Sequence, residues 1–179
     1  MTDRIDVSNE DWFVLKTRSR FEKKISEDLT KRGIDHYLPL KTERKKWSDR
    51  WKNVESPLFP GYVFVKMEEV NRYLILNLQG SVRFLYHDGD YAKLTRRDVQ
   101  MMEMALSGAH ELEIIDSTLY KGKTMKITSG PFKNFEAKLV HHNGKGKLML
   151  EVLSIAQGVL LEIGNTKIVP IEKSKLATE

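Results

Sequence analysis

The chain has 179 residues, enough for one domain or two small ones, and its basic residues exceed its acidic ones by only 30 − 25 = 5. It contains no cysteine, which excludes a disulfide framework, a thiolate metal site and a thiol nucleophile and fits a reducing compartment. No signal-peptide run opens it and no apolar stretch reaches the roughly 20 residues of a membrane helix, so a soluble, cytoplasmic protein is expected.

Residues 1–10 are polar and read as a disordered leader. Trp12-Phe13-Val14-Leu15 then predicts a short buried strand, being aromatic and β-branched in a polar setting. Ser19 and Glu22 have capping-box spacing, and Phe21, Ile25 and Leu29 recur on one helical face until Gly33 supplies a stop. Ile34–Leu40 predicts a second strand. From Lys41 to Lys52 there are six basic and two acidic residues around Trp47 and Trp51 with no clean period, so the segment is read as an exposed hairpin or loop.

In Leu58-Phe59-Pro60-Gly61-Tyr62-Val63-Phe64-Val65 an aromatic turn runs directly into an apolar strand. Pro60 fixes its own φ and biases Phe59 toward extended backbone, while Gly61 permits a path that a side chain would block. Val70–Leu78 predicts a short helix with Val70, Tyr73, Leu74 and Leu78 on one face. Val82–Tyr86 and Tyr91–Leu94 flank His87-Asp88-Gly89-Asp90, a hairpin signal. Thr95 caps a third helix, Arg96–Leu106, with Asp98 at its third position.

The texture then changes. Gly108–Thr118 carries three acidic residues and no basic one, and is read as a linker. Beyond it Lys123–Thr128, Glu136–His141, Lys147–Leu153, Val159–Ile163 and Lys167–Pro170 predict five strands separated by Gly-rich turns, the pattern of a small barrel. Lys147–Leu153 contains helix-compatible residues, but Val159, Ile163, Ile168 and Val169 favour strands, so the barrel is expected over a helical hairpin.

Catalytic patterns are lacking. The five histidines, at 36, 87, 110, 141 and 142, show no metal-ligand spacing. His141 and His142 point to opposite faces of a strand. Gly144-Lys145-Gly146-Lys147 lacks phosphate-loop spacing and reads as a hairpin turn. No enzyme activity, metal or cofactor is expected.

Residue types alone divide Phe59 and Tyr62 evenly between core and surface. Trp12 and Phe13 read first as strand core. Arg44, Lys45, Lys46, Arg50 and Lys52 are suited to phosphate contact with Trp47 or Trp51 stacking on a base, against the plain reading of a solvated hairpin, and Arg18, Arg20, Lys23 and Lys24 form a second basic set, read as one helix face. In Ser129-Gly130-Pro131-Phe132-Lys133-Asn134-Phe135, the most distinctive loop of this half, Phe132 and Phe135 read as plugs of the barrel core.

The order Trp12–Leu15, Leu58–Val65 and Gly122–Phe135 resembles the NusG family of transcription elongation factors. Its texture is closest to the operon-specialised, RfaH-like and UpxY-like relatives, and the last segment resembles a KOW motif. The resemblance runs from Trp12 to Lys173. It implies an α+β chain: an N-terminal NGN domain at 11–107 with an antiparallel sheet flanked by helices, a linker at 108–118, a C-terminal SH3-like KOW β-barrel at 119–173, and a tail at 174–179. It further implies a monomeric antitermination factor that binds the clamp helices of the largest RNA polymerase subunit through Phe59, Pro60 and Tyr62, with Trp12 and Phe13 as weaker candidates. The resemblance also implies non-template DNA or nascent RNA as a partner near the basic segments. Ile127, Phe132 and Phe135 would receive a ribosomal small-subunit protein or the Rho factor. The family often has Gly where this chain has Ala137, two residues after the second Phe. The alternative is an RNA-binding or ribosome-associated KOW protein.

Overall fold

The computed structural model describes residues 11–87, 89–108 and 112–171. The expected leader, 1–10, and tail, 174–179, lie outside the described residues, as does part of the segment read as a linker. The chain divides into two compact units, Met1–Gln100 and Met101–Glu179. The division falls inside the third helix rather than after Ser107.

In the first unit, β1 (Asp11–Thr17) leads to α1 (Glu22–Lys31), then to β2 (His36–Tyr37), β3 (Leu40–Lys46), β4 (Trp51–Pro57) and β5 (Tyr62–Met67). The main sheet runs β2-β5-β1-β6, where β6 is Ser81–Phe84, and is antiparallel. Trp12 faces Lys66, Val14 faces Phe64 and Lys16 faces Tyr62 across the β1–β5 ladder. Alternation therefore puts Phe13 and Leu15 on one face and Trp12, Val14 and Lys16 on the other.

The first face is the larger core. Phe13, Leu15, Val63, Val65 and Met67 from the sheet meet Ile25 and Leu29 of α1, Ile75 and Leu78. Each such side chain contributes about 1.5–3 kcal/mol by leaving water. The periodicity of α1 is as expected, but its start is not. Phe21 occupies the N-cap and has no polar side-chain atom to cap with, and the Glu22 carboxylate bonds Gly61 instead of closing the capping box expected with Ser19.

Predicted strand Ile34–Leu40 is broken into β2 and the start of β3 by Pro39, whose carbonyl instead receives the Leu58 N–H at 2.7 Å. After β5, one 3-10 turn, Glu69–Asn71, runs into the short α2 (Arg72–Leu76). Ile75 and Leu78 face inward and Tyr73 and Leu74 are exposed. The expected Tyr73–Leu74 face is thus wrong, since a turn of three residues per revolution shifts the phase that a 3.6-residue period assumes. β7 (Tyr86–His87) pairs β8 (Asp90–Tyr91) in the expected hairpin, and β9 (Lys93–Leu94) adds to β1. The third helix, α3 (Arg96–Ser107), has the expected cap: the Asp98 N–H donates to Thr95 Oγ1 at 3.1 Å and the Thr95 N–H donates to Asp98 Oδ2 at 2.8 Å.

The second unit holds β10 (Glu113–Asp116), β11 (Lys123–Ile127), β12 (Glu136–His142), β13 (Lys145–Val152), β14 (Gln157–Glu162) and β15 (Ile168–Pro170). They form one antiparallel sheet in the order β10-β14-β13-β12-β11-β15. Lys147–Leu153 is accordingly strand up to Val152, and the hairpin turn is Asn143-Gly144, both with positive φ, rather than the expected Gly144–Lys147, because Lys145, Gly146 and Lys147 already pair within β13. Part of the expected linker is structured: Glu113–Asp116 pairs with β14 from Leu160 to Gln157. Ile114 and Ile115 give that short run a strand pattern that its acidic composition obscured.

Candidate functional site

The aromatic turn is held from beneath. The Gly61 N–H donates to the Glu22 carboxylate at 2.7 Å, and Glu22 is only 4% exposed. The Gly61 carbonyl accepts the Thr17 N–H at 2.9 Å, and the Tyr62 N–H donates to the Phe59 carbonyl at 3.3 Å. Gly61 has φ +84, and a Cβ there would meet Lys16 Nζ at 3.0 Å. The turn therefore needs glycine chiefly for its conformation, since the lysine tip can move aside. A carboxylate in the first turn of α1 also sits favourably at the positive end of the helix dipole.

This arrangement separates the residues that sequence reading grouped together. Phe59 is 1% exposed and packs edge-on against Phe64, whose other neighbour is the stacked ring of Tyr37. Phe59 is thus a prop inside the fold and offers no surface to a partner, a correction to its expected contact role. Phe13 is likewise core, edge-on to Phe84 and Tyr91. What reaches solvent is Pro60, with half-buried Tyr62 and Trp12. Lys16 Nζ lies 4.0 Å from the Tyr62 ring centroid, a cation–π contact that holds the ring in place. Sequence reading missed Lys16 and the use of Glu22. An antiparallel β1–β5 pairing, which places Lys16 opposite Tyr62, is the signal that would have found the first.

The β3–β4 hairpin is a separate, strongly basic feature. Its seven paired positions run from Leu40–Pro57 to Lys46–Trp51, and the Trp47 N–H closes the turn on the Arg50 carbonyl at 2.8 Å. Trp47 and Trp51 are 58% and 55% exposed. Arg44 lies 5.2 Å from the Trp51 ring and Lys52 Nζ lies 6.0 Å from the Trp47 ring. Glu43 pairs with Lys41 and Lys45, which hold its carboxyl below the usual range, Lys41 most. Among the described residues, Arg44, Lys46, Arg50 and Lys52 pair with no carboxylate. Arg18 and Arg20 precede α1, so they do not share a helix face with Lys23 and Lys24 as expected. Lys23 pairs with Glu55 at 3.5 Å and Lys24 bonds Gln79.

In the second unit, Phe132 and Phe135 are half-buried and edge-on at 6.2 Å. Their turn is closed by the Asn134 N–H on the Ile127 carbonyl at 2.8 Å and the Ile127 N–H on the Phe135 carbonyl at 2.9 Å. The Ile127 side chain is fully buried, so it supports that turn from the core and is not itself a contact residue. Ala137 is buried in β12 opposite Met125; its methyl group fits where the resemblance suggested Gly.

Glu113 of β10 ties together three strands. His142 Nε2 lies 2.5 Å from its Oε1 and Lys147 Nζ 2.9 Å from its Oε2, while the Tyr120 hydroxyl meets His142 Nδ1 at 2.7 Å. Lys147 and then His142 hold the Glu113 carboxyl below the ordinary glutamate range, and Glu113 raises Lys147. Among the described residues no His, Asp or Glu group could hold a metal ion, and no helix is long and apolar enough to cross a membrane.

An α+β unit with a pinned aromatic turn, followed by an antiparallel β-sheet unit with a Gly-Pro-Phe turn, defines the chain as a two-unit α+β protein. The chain belongs to the NusG family: the family model described as transcription termination factor nusG matches residues 10–103. It is 30% identical over 173 residues to the transcription termination/antitermination protein NusG of Lactococcus lactis, covering 90% of this chain and 93% of that one. The protein of the same name from Streptococcus pyogenes is 28% identical over 161 residues, covering 83% and 90%. A structure titled for domain interaction in Thermotoga maritima NusG covers 88% of this chain and 96% of that one at 19% identity, with a TM-score of 0.53, a likeness of fold.

Proposed function

We propose that this protein is a bacterial elongation and antitermination factor that binds the clamp helices of the largest RNA polymerase subunit through the edge formed by Pro60, Tyr62, Trp12 and Lys16. The observation that carries this reading is the pinned turn. Glu22 and Phe59 fix its base, so Tyr62 is presented with little conformational freedom left to lose on docking. A factor of this kind acts by differential binding: it favours the clamp-closed, elongating state over paused or open states only to the extent that it binds the former better. No chemistry of its own is assigned to it.

The β3–β4 hairpin contacts nucleic acid of the elongation complex, supported by its unpaired cations and exposed tryptophans. The Phe132–Phe135 turn receives a second protein, either a ribosomal small-subunit protein or Rho, held near the polymerase at high effective concentration by the shared chain. The Trp-bearing hairpin also supports an operon-specialised role. Single-round transcription on a template with a strong pause tests the reading. The full chain shortens the pause in proportion to its occupancy; an unchanged pause at saturating protein contradicts it.

A further inference from the structure

We infer that the second unit closes an edge of its own sheet: β10 is a releasable strap along β14, and it gives way to an extended partner strand that carries a carboxylate and, two residues further on, a branched aliphatic side chain. None of the residues given a partner above takes part.

Register sets what lies beneath the strap. Glu113 faces Leu160 and Ile115 faces Gly158 across the β10–β14 ladder, while Leu160 faces Met149 across β13–β14. Lys138 faces Met149 and Val140 faces Lys147 across β12–β13. Residues opposite one another share a face, so Glu113, Ile115, Leu160, Met149, Val140 and Lys147 lie on one side of the sheet. There Val140, Met149 and Leu160 form a small apolar cluster of their own, at most 4% exposed, with Ile115 and Tyr120 packed against it. The cover is less buried than what it covers: Glu113, Ile114 and Ile115 are half-buried and Asp116 is exposed.

The two ends of the strap are held differently. At its C-terminal end the main chain is fixed, because the Ser117 N–H donates to the Ala156 carbonyl at 3.0 Å and Ser117 is buried. At its N-terminal end the grip is a side chain. Glu113 accepts from Lys147 Nζ at 2.9 Å and meets His142 Nε2 at 2.5 Å, with the Tyr120 hydroxyl on the far nitrogen of that ring at 2.7 Å. β10 is four residues long and ends the strand order of its sheet. Short edge strands with few buried apolar contacts open locally at low cost, so β10 peels from Glu113 toward Ser117.

Peeling bares three features together: the backbone edge of β14 from Gln157 to Leu160, the apolar cluster, and the Lys147–His142 pair. An incoming strand adds to such an edge by main-chain hydrogen bonds and is selected through alternate side chains. Lys147 and His142 select a carboxylate, and the cluster selects an aliphatic residue two positions on, the spacing of Glu113 and Ile115. A nucleic-acid backbone would meet Lys147 but leaves the β14 edge unpaired.

A fluorescein-labelled peptide of residues 112–117, titrated into the full chain and followed by anisotropy, tests the strap. Glu113→Lys turns its grip into repulsion, and Ile115→Asp removes its apolar cover by a second route. A site open only part of the time binds with an affinity reduced by that fraction, so each variant should bind the peptide at least about tenfold tighter than the parent. In hydrogen exchange the β10 amides of both variants should exchange faster, and added peptide should protect β14. Lys147→Glu added to Glu113→Lys restores the attraction in the opposite sense and should close the edge again. Equal binding by parent and variants overturns the strap. It is also overturned by absence of binding to variants whose circular dichroism matches the parent, by equally tight binding of a scrambled peptide, or by β10 amides that stay protected in both variants.

Discussion

The Glu22 carboxylate accepts the Gly61 N–H at 2.7 Å across 39 residues of sequence, joining the first turn of α1 to the turn that displays Tyr62. Both groups are buried, and a buried backbone donor has few ways to be satisfied. The bond therefore couples the stability of the first unit to the geometry of its proposed docking edge.

Glu22→Ala leaves the Gly61 N–H without its acceptor and should destabilise the first unit by about 1–3 kcal/mol. Glu22→Gln keeps an acceptor oxygen and should lose less. Urea unfolding of the two variants, compared by midpoint at constant slope, checks the order.

Gly61→Ala places a β-carbon 3.0 Å from Lys16 Nζ on a backbone at φ +84. The lysine tip can move, but the left-handed conformation still costs about 1–2 kcal/mol for an L-residue. The melting temperature should fall, and the Lys16–Tyr62 contact should loosen, visible as shifted Tyr62 ring resonances in NMR spectra.

Phe59 and Tyr62 should separate in their effects. Phe59→Ala opens a cavity beside Phe64 and should cost about 3–5 kcal/mol of stability. Tyr62→Ala removes a half-buried ring and should leave the fold largely intact. Thermal unfolding of both variants distinguishes a structural prop from a display residue.

The second unit has an acid-sensitive tie. Because the folded Glu113 carboxyl is held low by Lys147 and His142, its contribution is present above the unfolded glutamate value and is lost as pH falls through the lowered folded value. Lys147, raised by Glu113, contributes below its unfolded value and loses that contribution as pH rises through the raised one. Glu113→Gln should flatten the acid limb of stability against pH, and hydrogen exchange of the β10 amides should accelerate in the same window.

Much of this fold was legible because its local signals agree with its packing. Trp12–Leu15, the Phe21–Ile25–Leu29 spacing and the Thr95–Asp98 cap each specify an element that tertiary contacts then use. Misreadings arose where a residue serves a distant partner. Ser19 and Glu22 have capping-box spacing, yet Glu22 bonds Gly61. Phe59 and Tyr62 are similar in type and close in sequence, but the turn folds Phe59 inward against Phe64 and leaves Tyr62 half-exposed at the start of β5. Acidic composition hid β10, whose Glu113 has its partners His142 and Lys147 29 and 34 residues away in the chain.

Affinity of the full chain for bacterial core RNA polymerase, measured with Tyr62→Ala beside the unaltered protein, tests the central claim most directly. A half-buried aromatic anchor at a docking edge is expected to carry about 2 kcal/mol or more, so binding should weaken at least about tenfold while the melting temperature stays close to that of the parent. Unchanged affinity in a folded Tyr62→Ala protein would contradict the docking edge.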